Sequence, residues 1–396
     1  MGSERRNGAR RRGAVLIGAT TVMAAALAVA CAPPTTTPPP TPGPPVITAF
    51  TASAERAAAP VVATLGWRIS DPDTASLTCR VDVDGDGTVD RVIEPCRNVD
   101  SVLAQFDTAG TRTPTLEVDD GLYPPVTAPT SVPVADGPDE SYEITLRLDP
   151  SMDPQFAAAF DAAATRWETV ITAGVDDIRL DLPDGLFGWV PGFGGLVDDV
   201  LIDARVSPID GEGGTLGRAG GLAIRLPQWQ PYWGIMEFDS ADLAELAERG
   251  RLEDVILHEM GHVLGLGANW VLTGRVTDLL DPEYNGPAGV AAYQELGGNR
   301  FVPLEDDGEL GTILGHWRES VFGDELMTGY LGSRPAVMSR LTIAALADAG
   351  YGVDLGQAEP YSLPNAPALR RDGGADPLGH LHTEPIAPFL DGIPGA

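Results

Sequence analysis

There is no lysine in this chain of 396 residues: all 26 cationic side chains are arginines, set against 57 acidic ones. A net charge of −31 leaves little to offer phosphate groups, which argues against nucleic acid and anionic membrane surfaces as partners. Cysteine is nearly absent, with three residues, and beyond the N-terminus no stretch is apolar enough to span a bilayer. If Cys31 is set aside, Cys79 and Cys96 remain. An even pair in an exported chain reads as a disulfide, and thiol catalysis is disfavoured because no histidine lies near either in sequence. Histidine is also scarce, at five, and where those five fall carries most of the argument.

The N-terminus has an address. Arg5, Arg6, Arg10, Arg11 and Arg12 precede an apolar run over 14–29, which ends in Ala28-Val29-Ala30-Cys31. Residues 1–31 thus read as an export signal, with Cys31 placed as the lipidated residue of a bacterial lipoprotein; Ala-Val-Ala also fits cleavage by an ordinary signal peptidase. The expected location is the cell envelope, with the membrane reached only through a lipid on Cys31, or else release as a secreted protein. Residues 32–45 are a Pro/Thr tract, a semi-rigid spacer.

From 46 to 137 short β-type runs alternate with Asp/Gly/Pro turns, as expected of a small β-sandwich stapled by Cys79 and Cys96. Three stretches, Trp67-Arg68-Ile69-Ser70-Asp71-Pro72-Asp73, Val83-Asp84-Gly85-Asp86-Gly87 and Val118-Asp119-Asp120-Gly121, make this region resemble PKD and related immunoglobulin-like modules. Asp82, Asp84 and Asp86 before Gly87 also begin as a calcium loop begins, and Asp90 falls at its ninth position. The twelfth position is Ile93, however, with Glu94 one residue late. An Asp-Gly hairpin with solvated carboxylates explains the same letters, so Ca²⁺ stays open here.

A larger α+β region follows over 138–356. Strands are expected at 142–148, 199–206 and 222–226, a helix at 154–173 with Phe156, Phe160, Ala163, Trp167 and Val170 on its core face, and a short helix over 241–248 capped by Ser240. Composition falls back to Pro, Gly and Ala over 357–396, which reads as a loosely ordered tail.

Leu252 opens a helix carrying His258-Glu259-Met260-Gly261-His262, followed by Val263-Leu264-Gly265. Residues four apart share a helix face, so His258 and His262 can present two imidazoles to one metal ion, with Glu259 within reach of a water there. Gly265 offers a low-cost left-handed exit. Catalytic zinc usually takes a third protein ligand. The metzincin spacing would put a histidine at 268, and that residue is Ala268, with Asn269 next. Of the remaining histidines, His380 and His382 lie in the tail, while His316 lies in Gly315-His316-Trp317-Arg318-Glu319-Ser320, shortly before Glu325-Leu326-Met327-Thr328-Gly329-Tyr330.

Here the chain resembles the leishmanolysin family, whose metzincin fold carries an insertion between the helix and the third histidine. The resemblance spans roughly 142–353 and also includes Leu216-Gly217-Arg218-Ala219-Gly220 and Ser339-Arg340-Leu341-Thr342. It implies a metzincin-type protease domain with one zinc held by His258, His262 and His316, Glu259 as catalytic base, Gly265 as the turn and Met327 beneath the metal. Two features depart from the family: the catalytic region has no cysteine, and no propeptide cysteine stands ready to keep the enzyme latent.

The expected activity is zinc-dependent endopeptidase action on protein or peptide substrates by a monomer, with residues 222–226 as the edge strand a substrate would pair with. Tyr330 is a candidate oxyanion donor, though a surface tyrosine is the preferred reading. Other readings are a chance H-E-x-x-H in a core helix, Glu283 as a carboxylate third ligand, and a purely structural zinc. A further alternative is an envelope-tethered adhesion or scaffold lipoprotein with an inactive protease domain. The intact Glu259 argues against the last, since a site that only binds has no use for a base beside its ligands. A structural zinc would call for a fourth protein ligand, for which no cysteine or spare histidine is well placed.

Overall fold

The computed structural model describes residues 42–72, 76–267, 269–298, 300–308 and 311–364, together with the backbone of 380–383. The export signal with Cys31, most of the linker and Ala268 lie outside the described residues, as does the rest of the tail.

The first half contains β1 (Val46–Ser53), β2 (Val61–Ser70), β3 (Thr78–Asp82), β4 (Arg91–Ile93), β5 (Ser101–Phe106), β6 (Gly110–Arg112), β7 (Thr115–Asp119), β8 (Val126–Pro129) and β9 (Val132–Val134). One antiparallel sheet has the order β1-β2-β5, a second β4-β3-β7-β8, and β6 pairs with β9. Period-2 alternation sends Val61, Ala63, Leu65 and Trp67 of β2 and Val102, Ala104 and Phe106 of β5 to a core shared with Cys79, Val81, Leu116 and Val118 of the second sheet. Cys79 and Cys96 are bonded, with Cα atoms 5.7 Å apart. Closing so short a loop is worth about 3 kcal/mol in the chain-entropy account. The opposite faces of β2 and β5 are not solvated: Val62 and Leu103 belong to the core of the second half. Burial on both faces is why β2 reads as the nearly unbroken apolar run Val61-Val62-Ala63-Thr64-Leu65.

The second half begins with β10 (Ile144–Leu148), α1 (Pro154–Val170), β11 (Ile171–Ala173), β12 (Ile178–Leu182), β13 (Phe193–Val197), β14 (Val200–Ser207), β15 (Thr215–Arg225), β16 (Gln230–Asp239), α2 (Leu243–Glu248) and α3 (Leu252–Val263). It continues with β17 (Glu283–Tyr284), α4 (Pro287–Glu295), β18 (Val302–Pro303), α5 (Glu319–Phe322), α6 (Arg340–Asp348), β19 (Gly352–Val353) and β20 (His380–Thr383). A mixed five-stranded sheet has the order β10-β14-β16-β15-β20, with β15 the one strand antiparallel to its inner neighbour. The fold is α+β, with more strands than helices.

α1 starts where Asp153 accepts from the Gln155 N–H, with Pro154 at the first helical position, and buries Phe160, Ala163, Ala164, Trp167 and Val170. It ends three residues before the expected boundary because Ile171 and Ala173 pair with β19. The Trp167 indole donates to the Leu257 carbonyl at 3.0 Å, tying α1 to α3. α2 begins at Leu243 without a side-chain cap, so Ser240 does not serve as one. β15 starts seven residues before the expected strand, on the glycine-rich stretch Leu216-Gly217-Arg218-Ala219-Gly220-Gly221. Those glycines have a packing reason: a Cβ on Gly217 would stand 3.2 Å from Glu259 Cγ, and one on Gly234 of β16 2.6 Å from Val263 Cγ1. Their bareness lets α3 lie close under the sheet. Within the tail, His380–Thr383 adds a strand to the edge of β15. Among the described residues no helix is long and apolar enough to cross a membrane.

Candidate metal centre

α3 carries His258 and His262 on one face, and both are buried, as are Glu259 and His316. The helix stops through backbone chemistry. Gly265 has φ 101°, its N–H donates to the His262 carbonyl at 3.1 Å, and the Leu266 N–H reaches back to the Gly261 carbonyl at 3.0 Å. This pair of bonds satisfies helix-end carbonyls and turns the chain sharply. The turned Leu266 carbonyl then accepts the His262 Nδ1 proton at 2.9 Å.

His316 arrives from 54 residues further along. Gly267, with φ 71°, makes this possible: a Cβ there would be 2.1 Å from the Gly315 carbonyl oxygen, so only glycine lets the two backbones touch. His316 is held between neighbours, its carbonyl accepting from the Glu305 N–H and the next residue, Trp317, donating its N–H to the Met327 carbonyl, each at 2.9 Å.

The three imidazoles meet through Nε2. The separations are 2.9 Å between His258 and His262, 3.1 Å between His262 and His316, and 3.2 Å between His258 and His316. Each Nδ1 faces a backbone carbonyl: Leu326 for His258 at 2.7 Å, Leu266 for His262, and Thr312 for His316 at 2.8 Å. Carbonyls only accept, so the Nδ1 positions carry the protons and the Nε2 lone pairs converge on one point. Burial, then the neighbouring His316, lowers the His258 pKa to about 3; burial, then His258, holds His262 well below its ordinary value. Neutral imidazoles with oriented Nδ1–H bonds are the state that ligates a metal. Glu259 follows His258 beneath Gly217 of β15.

Met327 is fully buried against α3, and its Sδ would be 3.0 Å from a Cβ on Gly261, between the two helix histidines in sequence. Its turn is anchored by Glu325, a buried residue the sequence reading left without a role. One carboxylate oxygen accepts from the Met327 N–H at 2.7 Å; the other accepts from Oγ of Ser339, which caps α6, at 2.7 Å and from Thr342 Oγ1 on α6 at 2.6 Å. Thr342 Oγ1 accepts in turn from the Trp317 indole at 2.9 Å. Burial raises the Glu325 pKa while these donors oppose the rise. The network joins the methionine turn, α6 and the neighbour of the third histidine. The only hint of it in sequence was that Glu325, Ser339 and Thr342 all fall in stretches resembling one family.

Glu283, on β17, is not among the groups that converge with the histidines. Tyr330 is half-buried and borders the same small cavity as His258. The second expected cluster also forms in part: carboxylate oxygens of Asp82, Asp84 and Asp86 lie within 4.8 Å of one another. Asp82 accepts from the Gly85 and Gly87 N–H groups at 2.7 and 2.8 Å, Asp84 from Asp86 at 3.1 Å, and Asp86 from Thr88 at 2.7 Å. Asp90 stands outside the cluster and accepts from the Val83 N–H at 2.8 Å.

The leishmanolysin family model matches residues 222–366, from inside β15 to beyond α6. The chain is 32% identical over 134 residues to the leishmanolysin homolog of Crithidia fasciculata, a match covering 31% of this chain and 20% of that protein. The chain thus aligns with about a fifth of that curated relative. Among solved structures, the PKD1 domain of Vibrio anguillarum Epp aligns over 99% of its length and 24% of this chain, at 14% identity and a TM-score of 0.19. A cycloisomaltooligosaccharide glucanotransferase of Paenibacillus sp. aligns over 27% of its length and 40% of this chain, at 11% identity and a TM-score of 0.13. Likeness at those scores carries no structural argument.

Proposed function

We propose that this chain is a zinc-dependent endopeptidase of the leishmanolysin type, with His258, His262 and His316 as zinc ligands and Glu259 as general base. The observation that carries the reading is the convergence of three buried Nε2 lone pairs while every Nδ1 is engaged by a carbonyl. Zinc–nitrogen bonds of about 2.0–2.1 Å in tetrahedral array separate ligand nitrogens by about 3.3 Å. The separations of 2.9–3.2 Å in the triad are close to that value. The donor set, all neutral nitrogen, suits zinc and poorly suits calcium or magnesium.

When bound, the zinc supplies Lewis acidity, lowering the pKa of water and polarising a carbonyl. The chain's own residues supply the rest. The carbonyls of Leu326, Leu266 and Thr312 fix the imidazole orientations. Glu259 takes the proton of the attacking water and returns it to the leaving amine, so no covalent intermediate with the protein is needed. Burial excludes bulk water and strengthens each of these interactions. We read 138–356 as a metzincin-type domain on the strength of the helix, the Gly265 turn and Met327 packed against Gly261, and 46–137 as a PKD- or immunoglobulin-like module. We further propose a monomer, exported and either lipid-anchored at Cys31 or released, acting on proteins or peptides.

Zinc content and casein hydrolysis of the full chain, beside His316→Ala and Glu259→Gln, test the reading. The expected result is about one zinc in the parent and in Glu259→Gln, hydrolysis reduced about 10²–10⁴-fold by the Gln, and loss of both properties in His316→Ala. Full activity in His316→Ala would exclude it as a ligand, and substantial cleavage by Glu259→Gln would remove the base.

A further inference from the structure

The outer edge of β15 runs beside the triad, since Gly217 stands over Glu259. An edge strand offers a row of backbone donors and acceptors that another extended chain can complete. Part of that row is already taken. β20 pairs with it in parallel, His380 opposite Thr215, Leu381 opposite Gly217, His382 opposite Arg218 and Thr383 opposite Ala219, and it lies against α3 as well. In sequence the strand is bracketed by Pro377 and Pro385, neither of which can donate to a ladder. All five histidines of the chain are thereby gathered on the triad or on the strand along its flank. His258, Glu259, His262 and His316 are each at most 1% exposed. Beside this buried centre, β20 is one of the elements packed against α3.

We propose that His380–Thr383 is a built-in occupant of the edge along which a substrate chain would lie, and that its pairing holds the centre closed. The proposal rests on the peptidase reading above. Four residues form few ladder bonds, each worth about 0.5–1.5 kcal/mol net, so the strand is weak enough to be displaced. Its tether offsets that weakness, because a segment of the same chain competes at an effective concentration of about millimolar. A long substrate that makes more bonds to β15, or removal of the tail, opens the site. The device would supply the latency that a propeptide cysteine would otherwise provide.

The test compares the full chain with a chain ended after Pro364 and with the full-length double variant Leu381→Pro/His382→Pro. Zinc content and thermal unfolding establish that all three are folded and loaded. Amide hydrogen exchange at residues 215–219 reads the pairing, and casein cleavage per bound zinc reads its consequence. Both altered chains are expected to exchange faster and to cleave faster, by about tenfold for an edge closed nine-tenths of the time. A synthetic peptide of residues 376–390 should reverse both effects in the ended chain. Unchanged exchange overturns the pairing. Faster exchange with unchanged cleavage, in a chain that does cleave, overturns the inhibitory role. If no zinc-loaded form cleaves, the peptidase reading falls and the inhibitory role with it, while the exchange data still decide the pairing.

Discussion

Two places in this chain gather metal-binding residue types at metal-binding spacing, and the fold leaves different things at each. In the histidine triad every Nδ1 proton is given to a carbonyl, so what remains is three lone pairs aimed at one point away from water. In the Asp82 turn the carboxylates are already accepting backbone N–H groups, and Asp84 and Asp86 are exposed. The fold brings ligand atoms together in both places. What separates them is which atoms do the holding: in the triad the Nδ1 atoms engage carbonyls while the Nε2 atoms converge, whereas in the turn carboxylate oxygens of the cluster hold the loop together.

The largest expected effect that sharpens this contrast is acid sensitivity of the metal-free protein. Burial lowers the His258 pKa from 6.5 in the free side chain to about 3 in the fold, so between those values the unfolded chain binds more protons. Stability from this group is therefore full above about pH 6.5 and is lost as pH falls toward 3. Thermal unfolding of the metal-free chain across that range measures it; a flat profile would mean the imidazoles are not buried neutral. Next comes Gly267→Ala. A Cβ 2.1 Å from the Gly315 oxygen, at φ 71°, should cost at least about 1–3 kcal/mol and weaken zinc binding by displacing His316, as read by urea unfolding and metal titration.

Thr342→Val should cost about 1–3 kcal/mol by leaving the buried Trp317 indole without its acceptor, while zinc content stays near that of the parent. The smallest effect belongs to the turn. Asp84→Asn should shift stability by no more than about 0.5 kcal/mol, with or without calcium chloride. A calcium-dependent rise in Tm that this variant abolishes would break the comparison and make the turn a cation site.

The helix and its two histidines were legible because a 3.6-residue period needs only the letters His258, Glu259 and His262. His316 was legible through family resemblance, since a separation of 54 residues from His262 erases any local pattern. The Nδ1 acceptors were not legible at all: Leu326, Leu266 and Thr312 contribute backbone oxygen, which every residue has. The early start of β15 was hidden for a related reason. Glycine is a poor strand former, and Gly217 is there for the helix packed beneath the sheet. β20 was hidden by its setting, four residues with a single apolar side chain inside a Pro/Gly-rich tail. Even so, its partner strand gives it a ladder.

The contact between β5 and α4 shows what the N-terminal module does for the rest of the chain. Gln294 Nε2 donates to Asp100 Oδ1 at 2.9 Å, its Oε1 accepts from Ser101 Oγ at 3.2 Å, and Val62 and Leu103 are packed into the core of the second half. α4 lies on the excursion that leaves the helix after His262 and returns with His316. The module therefore braces the long arm that delivers the third ligand. A chain cut near residue 137 would strip an apolar wall from that arm, so the first half acts as a buttress for the second.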